Sequence, residues 1–572
     1  MTGRHPFLTR RRGRDPAVPP AVEIGRNRLL ITGALFAAAF AVVAVRLVDL
    51  TLLGEGGEAQ LARSVEKAAH RTGRAEIVDR NGVLLATSLK TASLYANPRV
   101  LLNPAEAVVR LAGVLPDLDR AETRERLAGD RSFVWVRRHL TPRQQYAVNR
   151  LGIPGLDFQT EERRVYPAGA LAAHLLGHTD IDSRGLMGIE RHFDDALRRR
   201  QEPLELSLDL RVQHALRAEL KKSMGEFSAI GAAGIVMDVR NGEVLAMVSL
   251  PDFDPNQPDS IEGEAGFNRA TLGVYEMGST FKIFTTAMAL DSGTVTLSGG
   301  YDATDPIRVA RYVIRDFHAK RRWLSVPEIF MYSSNIGSVK MALDVGPTAQ
   351  RGFLRRIGML EPSPVEISEV GAPLVPAPWR EINAMTIAFG HGMAVSPMQL
   401  AGGVAAMVNG GIYYPPTLLK RPRDGSLVGR RVVSEKTSER IRRLLRLVVE
   451  HGTGGNAEAE GFLVGGKTGT AEKVVGRRYR AKALMSSFVG IFPMTAPRYI
   501  VFAMLDEPVG TEKTFGYATG GWVAAPVVGN VISRIGPMLG VRPVDEEAPE
   551  IRQQMAIEIV TTKTGKRRLA SF

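Results

Sequence analysis

Gly278-Ser279-Thr280-Phe281-Lys282 opens a run, Ile283 to Leu290, whose apolar residues recur at helical spacing. The pattern predicts a helix that carries Ser279 and Lys282 in its first turn. Because residues three apart share one face of a helix, the lysine amine can reach the serine hydroxyl, which places a base beside a nucleophile. Unpaired N–H groups at a helix N-terminus suit the oxyanion that forms on an attacked carbonyl. The stretch therefore predicts serine acyl transfer.

A Ser-x-x-Lys pair is a weak signal alone, since Ser64-Val65-Glu66-Lys67 also matches it. Two later motifs distinguish the matches. Ser333-Ser334-Asn335 supplies a hydroxyl and an amide, and Lys467-Thr468-Gly469-Thr470, on a predicted strand, supplies a cation and hydroxyls. A second Lys-Thr-Gly at Lys563 lies in a basic tail, and we interpret it as chance. The ordered set is the signature of penicillin-interacting serine acyltransferases and β-lactamases.

Composition limits the class of protein. A chain of 572 residues, 44% hydrophobic and 23% charged, predicts two or three folded units. It has no cysteine, which excludes disulfides, thiolate catalysis and Cys-ligated zinc. The net charge of +14 is compatible with nucleic-acid binding. However, no zinc-finger spacing and no basic motif interleaved with aromatic residues accompanies that charge, so we expect no nucleic-acid partner.

The N-terminus has the pattern of a membrane anchor. Residues 1–28 carry seven arginines, and residues 29–53 are almost wholly apolar, long enough for the roughly 20 residues of a membrane helix. A cleaved signal peptide is the alternative, and Ala39-Phe40-Ala41 is a loose cleavage site. The apolar run exceeds the usual length of such a segment, about 7–15 residues. We therefore predict an uncleaved anchor, a cytoplasmic basic arm and an exported remainder.

Beyond the anchor, the pattern predicts two domains and a tail. Residues 54–205 are interpreted as a non-catalytic domain that begins with a hairpin about Asn81-Gly82, where a type I′ turn is expected. Residues 206–545 contain all three motifs, a helix capped by Asp209 and a second hairpin about Asn241-Gly242. Residues 546–572 are polar and basic and are predicted to form a loose tail.

The catalytic region shows the pattern of an α+β fold. Residues 486–492 and 499–505 have the composition of consecutive strands, and residues 524–539 that of a closing helix despite Pro537. Together with the hairpin at Asn241-Gly242, they predict an antiparallel sheet covered by helices.

Other polar clusters favour structural roles. His174 and His178 have a metal-ligand spacing, but Gly177 intervenes and no third ligand is evident. Asp252 and Asp254 are bracketed by prolines, which indicates a loop rather than a metal site. His391 lies in a glycine-rich loop, where a role in the turn is favoured over catalysis. We expect no metal and no cofactor.

The order of motifs resembles that of a class B penicillin-binding protein along nearly the whole exported length. Besides the three motifs, the likeness rests on the anchor, Asp79-Arg80-Asn81-Gly82, Tyr166-Pro167 and Gly188-Ile189-Glu190. Val274 to Lys282 is most similar to the cell-division transpeptidase, the FtsI type. The resemblance implies a penicillin-binding, serine β-lactamase-like transpeptidase domain on an elongated pedestal, the dimerisation-type domain, with one N-terminal transmembrane helix. Two positions depart from the commonest pattern, Met277 before Gly278 and Ser334 within Ser-x-Asn.

The resemblance also implies roles for the motif residues. Ser279 is the expected nucleophile, Lys282 the base and Ser333 the proton relay, while Asn335 positions the substrate amide. Backbone N–H groups of Ser279 and Thr470 form the expected oxyanion hole. The substrate carboxylate is expected to bind the stretch formed by Lys467, Thr468, Gly469 and Thr470.

The implied activity is D,D-transpeptidation, which cross-links peptidoglycan stem peptides that end in D-Ala-D-Ala. Expected partners are these donors, β-lactams, a membrane-embedded SEDS-type glycan polymerase (FtsW-like) and other division proteins. The expected location is the inner membrane at the septum, single-pass, with the catalytic domain periplasmic. An elongation-specific transpeptidase is the first alternative. A non-catalytic divisome scaffold or a β-lactam receptor is the alternative of another class.

Overall fold

The structure is a computed structural model of the whole chain, and it describes residues 20–48, 73–200, 202–309, 312–422, 427–475, 478–561 and 567–569. Its contacts divide the chain into two compact units, Met1–Gly73 and Arg74–Phe572.

The first unit contains one described helix, Pro20–Val48, whose side chains from residue 30 to residue 45 are exposed. Among the described residues, no helix has both the length and the apolar character that a membrane crossing requires. The anchor predicted for residues 29–53 stays a prediction. Its last five positions and residues 1–19 of the basic arm lie outside the described ranges.

The second unit begins with the pedestal region, residues 74–205, built around a small sheet. The strands are β1 Ile77–Val78, β2 Leu84–Ala96, β3 Val134–Leu140, β4 Leu156–Val165 and β5 Leu204–Glu205, in the order β3-β2-β1-β5 with β4 paired to β2. The helices of the region are Pro104–Val114, Arg120–Leu127, Pro142–Asn149, Ala173–Leu176, Gly188–His192 and Asp194–Arg199. Polar side chains cap the first three of these helices; for example, Asn103 accepts a hydrogen bond from the backbone N–H of Glu106.

The hairpin predicted about Asn81-Gly82 is confirmed, because β1 and β2 pair antiparallel. The expected type I′ turn is wrong, since it needs positive φ at both central residues and only Gly82 has it, at +82°. The Asp79 carboxylate accepts hydrogen bonds from the backbone N–H groups of Asn81 and Val83, at 2.7 and 2.9 Å. These bonds hold Asn81 outside the left-handed region. The pairing of β1 with β2 is correspondingly irregular, with a shift in register between Ile77 and Val78.

A buried carboxylate ties together three segments of the pedestal region. Glu190, fully buried, accepts from the Nε atoms of Arg74 at 2.5 Å and Arg164 at 2.7 Å. Two arginines offset the cost of burying this charge, and removing either one would leave one carboxylate oxygen of Glu190 without its cationic donor. The Gly188-Ile189-Glu190 motif therefore serves the structure of the pedestal.

The rest of the second unit contains the main sheet and several two-stranded sheets. The strands of this whole region are β6 Gly231–Asp238, β7 Val244–Leu250, β8 Gly300–Asp302, β9 Ile307–Val309, β10 Tyr312–Ile314, β11 Trp323–Ser325, β12 Ile412–Tyr413, β13 Arg430–Arg431, β14 Gly465–Val475, β15 Arg478–Phe492, β16 Tyr499–Asp506, β17 Glu558–Val560 and β18 Arg567–Leu569. Its α-helices are Leu210–Glu226, Lys282–Asp291, Val326–Met331, Asn335–Val345, Pro347–Arg356, Glu381–Ile387, Pro397–Val408, Glu435–His451, Gly520–Val523, Ala525–Met538 and Pro549–Met555.

Five strands form one antiparallel sheet in the order β14-β15-β16-β6-β7. Side chains of β6 alternate between two cores, since Val236 packs in one and Ile235 in the other. The helices Leu210–Glu226 and Ala525–Met538 contribute to the first core, and Lys282–Asp291 contributes to the second. A sheet covered by helices on both faces confirms the predicted α+β architecture.

The chain after residue 545 differs from the predicted loose tail. It forms the helix Pro549–Met555 and a small pair of strands, β17 and β18. Met555 and Ile557 are buried in the main core. Glu546 pairs with Arg446 at 3.1 Å, and it also accepts from the backbone N–H of Gly461 at 2.8 Å. The prediction is wrong for the described part because these few apolar residues are sparse in a polar sequence, so periodicity does not reveal them.

Candidate active site

The first motif forms a 3₁₀ turn, Gly278–Phe281, which runs directly into the helix Lys282–Asp291. Gly278 has φ +55°, and a Cβ built on it would lie 2.6 Å from the carbonyl oxygen of Thr470. Its N–H donates to the carbonyl of Gly390 at 3.1 Å. A side chain at position 278 would thus separate the turn that carries Ser279 from the strand that carries Thr470.

The amine of Lys282 is the centre of the site. Its Nζ lies 3.1 Å from Ser279 Oγ, 2.9 Å from Ser333 Oγ and 2.8 Å from Asn335 Oδ1. The carbonyl oxygen of Ser333 is 2.5 Å away, and the lysine is almost wholly buried. One amine therefore contacts both hydroxyls and the amide that the sequence predicted to act together.

The second motif is held in an uncommon backbone conformation. Ser333 has φ +57°, a left-handed value that is rare for a residue with a side chain. Ser334 Oγ caps the next helix by accepting from Gly337 N–H at 3.0 Å. It donates to Asp316 Oδ2 at 2.7 Å, and Asn335 Nδ2 donates to the carbonyl of Arg315 at 2.9 Å. A hydroxyl at position 334 thus completes a local network, which explains how the chain accommodates its departure from the commonest motif.

The third motif lies on β14, as predicted. Lys467 is fully buried, and its Nζ lies 3.1 Å from Ser333 Oγ. Thr468 Oγ1 is 2.8 Å from Thr453 Oγ1, and Thr470 Oγ1 accepts from Gly520 N–H at 3.1 Å. Ser333 therefore contacts both motif lysines and links β14 to the helix that starts at Lys282.

Gly469 has a packing role that its place in the motif does not reveal. A Cβ on this residue would lie 2.4 Å from Ser487 Oγ and 2.7 Å from the carbonyl oxygen of Met277. The absence of a side chain lets β14 approach the turn that carries the nucleophile.

Burial and neighbouring charges shift the pKa values of both lysines. Burial lowers the pKa of Lys282 well below its usual value, and the adjacent Lys467 lowers it further. The carboxylate of Asp316 opposes this shift. Burial alone lowers the pKa of Lys467 to about 7. A buried lysine with a depressed pKa holds its free amine near neutral pH, which is the form that accepts a proton.

The remaining predicted candidates lie elsewhere. Ser64-Val65-Glu66-Lys67 and Lys563 fall outside the described residues. His174 bonds the carbonyl of Ala265 at 2.8 Å, and Asp252 pairs with Arg217. Within the described ranges, no group of three or more His, Asp or Glu residues is arranged to hold a metal ion.

Several residues at the site escaped the sequence analysis. Asp316 and Thr453 contact the second and third motifs, and Gly390 contacts the first. Asp316 lies in a polar loop and Thr453 among glycines, so neither stands out by type or spacing. Gly390 belongs to the glycine-rich loop around His391, where its left-handed φ of +83° explains why glycine is needed.

Comparison with known proteins agrees with this geometry. The model of the penicillin binding protein transpeptidase domain matches residues 232–533, and that of the penicillin-binding protein dimerisation domain matches residues 70–209. A "Probable peptidoglycan D,D-transpeptidase FtsI" of Caulobacter vibrioides is 41% identical over 508 residues, 86% of each chain. The "Peptidoglycan D,D-transpeptidase FtsI" of Escherichia coli is 28% identical over 515 residues, 84% of this chain and 86% of the relative.

Among solved structures, penicillin binding protein 3 of Mycobacterium tuberculosis, complexed with aztreonam, superposes with a TM-score of 0.65. The match covers 83% of this chain and 98% of that one at 24% identity, which shows the shared fold. The two matched domains and the 41% identity together show the family. The chain therefore belongs to the class B penicillin-binding proteins of the FtsI type.

Proposed function

We propose that this protein is a peptidoglycan D,D-transpeptidase that cross-links stem peptides through a serine acyl-enzyme and is a target of β-lactams. The observation that carries the proposal is the buried amine of Lys282, 3.1 Å from Ser279 Oγ and 2.9 Å from Ser333 Oγ. A base in contact with a nucleophile and with a second hydroxyl has the parts needed for both halves of an acyl transfer. The relatives that are named peptidoglycan D,D-transpeptidases support the same reaction.

In the acylation step, Ser279 Oγ attacks the carbonyl of the penultimate D-alanine of a donor stem peptide. The free amine of Lys282 takes the hydroxyl proton as the new ester bond forms. Ser333, which contacts both lysine amines, relays a proton to the nitrogen of the terminal D-alanine as the peptide bond breaks. Terminal D-alanine leaves with that proton, and the donor stays bound to Ser279 as an ester.

In the transfer step, an amine of a second stem peptide attacks the ester carbonyl. Its proton returns through Lys282 to Ser279 Oγ, which leaves as a hydroxyl, so the step forms one amide bond and regenerates the enzyme. The backbone N–H groups of Ser279 and Thr470 would stabilise the oxyanion. Lys467, Thr468 and Thr470 would hold the donor carboxylate, Gly469 would allow their close approach, and Asn335 would orient the donor amide.

The cellular setting is part of the proposal. The basic arm, residues 1–28, is cytoplasmic, residues 29–53 anchor the chain in the inner membrane by a single pass, and the catalytic region is periplasmic at the division septum. We assign residues 54–205 as the pedestal, 206–545 as the transpeptidase domain and 546–572 as a basic C-terminal segment. The division role is supported by relatives named FtsI. Glycan strands would come from a membrane-embedded SEDS-type polymerase that pairs with the anchor and pedestal.

Labelling with a fluorescent penicillin tests the catalytic proposal. Wild-type protein should be labelled covalently, and mass spectrometry should map the adduct to the peptide that contains Ser279. Ser279→Ala should abolish labelling without changing thermal unfolding, because the small change leaves the fold intact. Ser64→Ala, in the other Ser-x-x-Lys match, is the matched control and should be labelled normally. Persistent labelling of Ser279→Ala would refute the assignment of the nucleophile.

A further inference from the structure

Asp316 contacts the second motif from a separate loop. Its side chain is half-buried, and each carboxylate oxygen has its own donor. Oδ2 accepts from Ser334 Oγ at 2.7 Å, and Oδ1 accepts from the backbone N–H of Ile336 at 2.9 Å. The preceding carbonyl, that of Arg315, accepts from Asn335 Nδ2 at 2.9 Å. Three hydrogen bonds thus connect two consecutive loop residues with the last two residues of the motif, Ser334 and Asn335, and with Ile336, which follows it.

Ser333, the motif residue directly before these three, needs such support. Ser333 holds a left-handed φ of +57°, a strained value that persists only where surrounding contacts impose it. Its carbonyl and hydroxyl both contact the amine of Lys282. A change in the backbone at Ser334 would therefore move two of the contacts that aim this amine at Ser279.

We propose that Asp316 is a positioning residue for acylation, holding Ser334 and the start of the following helix so that Ser333 and Asn335 keep the amine of Lys282 against Ser279. Asp316 touches none of the reacting atoms, and it acts by hydrogen-bonding the second motif and the residue that follows it. The proposal rests on the acyl transfer proposed above, yet it can fail separately, since Ser279→Ala abolishes labelling whereas an Asp316 variant only slows it.

Asp316 also acts on Lys282 through its charge. Lys282 faces the cation of Lys467 from β14 and the carboxylate of Asp316 from the loop, and these two charges shift its pKa in opposite directions. Burial lowers the pKa of His391, in the loop after the helix Glu381–Ile387, and the charge of Lys282 adds a smaller lowering. Glu276 and Glu472 act on His391 in the opposite sense. Loss of the Asp316 charge should thus lower the pKa of Lys282 further.

Asp316→Asn separates positioning from a purely structural role, because it removes the charge and keeps the shape. We expect the acylation rate constant for a fluorescent penicillin to fall on the order of 10–100-fold, as small misplacements of catalytic groups do. We also expect the acidic limb of the rate's pH profile to move to lower pH, since Lys282 then keeps its free amine at lower pH. Asp305→Asn, an exposed aspartate on the same stretch, is the matched control and should leave both quantities unchanged.

Ser334→Ala provides a second, independent test. It removes the hydrogen bond to Asp316 and the helix cap on Gly337 N–H but keeps the carboxylate, so we expect slower acylation with the acidic limb in its wild-type place. The proposal is overturned if Asp316→Asn acylates within twofold of wild type with an unmoved limb, or if Asp305→Asn moves the limb equally. Should Asp316→Asn not fold, as judged by thermal unfolding, wild-type acylation by Ser334→Ala would still overturn it.

Discussion

Gly469→Ala is expected to damage catalysis more than stability. The added Cβ would lie 2.7 Å from the carbonyl oxygen of Met277, about 0.7 Å short of the roughly 3.4 Å of an ordinary contact. Ser487 Oγ, at 2.4 Å, belongs to a small side chain that can rotate. The Met277 carbonyl is backbone next to the nucleophile turn, so β14 and that turn must separate by several tenths of an ångström.

The separation acts directly on the proposed geometry, because Thr470 follows Gly469 on β14 and Ser279 lies in the turn. A displacement of this size in a catalytic site costs on the order of 10–100-fold in rate. Overpacking of a filled core costs about 1–3 kcal/mol of unfolding free energy. We therefore expect a protein that folds at room temperature but is acylated 10–100 times more slowly.

The assay is the second-order rate constant for acylation by a fluorescent penicillin, measured beside thermal unfolding. Gly225→Ala is the matched control: a Cβ there meets no atom within 4 Å, and the site lies in the helix Leu210–Glu226. Because alanine favours helices over glycine, the control should be at least as stable as wild type and acylate normally. Acylation of Gly469→Ala within twofold of wild type, in a folded protein, would refute the steric argument.

Three further outcomes are expected. The pKa of Lys467 is about 7 in the folded protein and about 10.4 in the unfolded chain. Between about pH 7 and about pH 10.4 the unfolded chain therefore binds more protons than the folded protein, so the free energy of unfolding should rise with pH in that range. Lys467→Met should lower that slope by at most about 1.4 kcal/mol per pH unit in chemical denaturation, and an unchanged slope would contradict the depressed pKa. Depletion of the protein should give cells that elongate without dividing, as judged by microscopy, whereas rounded or swollen cells would favour the elongation alternative. A reporter active only outside the cytoplasm, fused after residue 60, should give signal, and a silent fusion would contradict the proposed topology.

Much of the catalytic region can be predicted from local chemistry. Strands β6 and β7 flank Asn241-Gly242, so their positions follow from pattern. The apolar runs predicted at residues 486–492 and 499–505 match the second half of β15 and nearly all of β16, whereas the basic first half of β15, from Arg478, carries no such pattern. The helix after Asp209 begins where its cap predicts, with that carboxylate accepting from Arg211 N–H. Local rules succeed here because each element carries its own start and stop signals.

The three motifs meet at one site because of tertiary contacts, which the spacing of residues in the sequence does not reveal. Ser333 Oγ meets both motif lysines only because β14 packs beside the turn at Gly278, an approach fixed by two glycines. Asp316 bonds residues about 20 positions away from an irregular loop, where sequence periodicity carries no information. The ordered tail is a similar case, since Met555 and Ile557 contribute to a core that is otherwise built by distant segments.

Strand β6 pairs along its length with β16, so that Gly231 meets Asp506 near the far end of the catalytic region. Chains are synthesised from the N-terminus, and pairing between such distant segments is slow to form. Ser279 and Ser333 are therefore synthesised long before the sheet that contains Lys467 can form. A growing chain therefore carries its serine without an assembled acyl site, and we expect no acylation by a β-lactam until the chain has been made past Asp506.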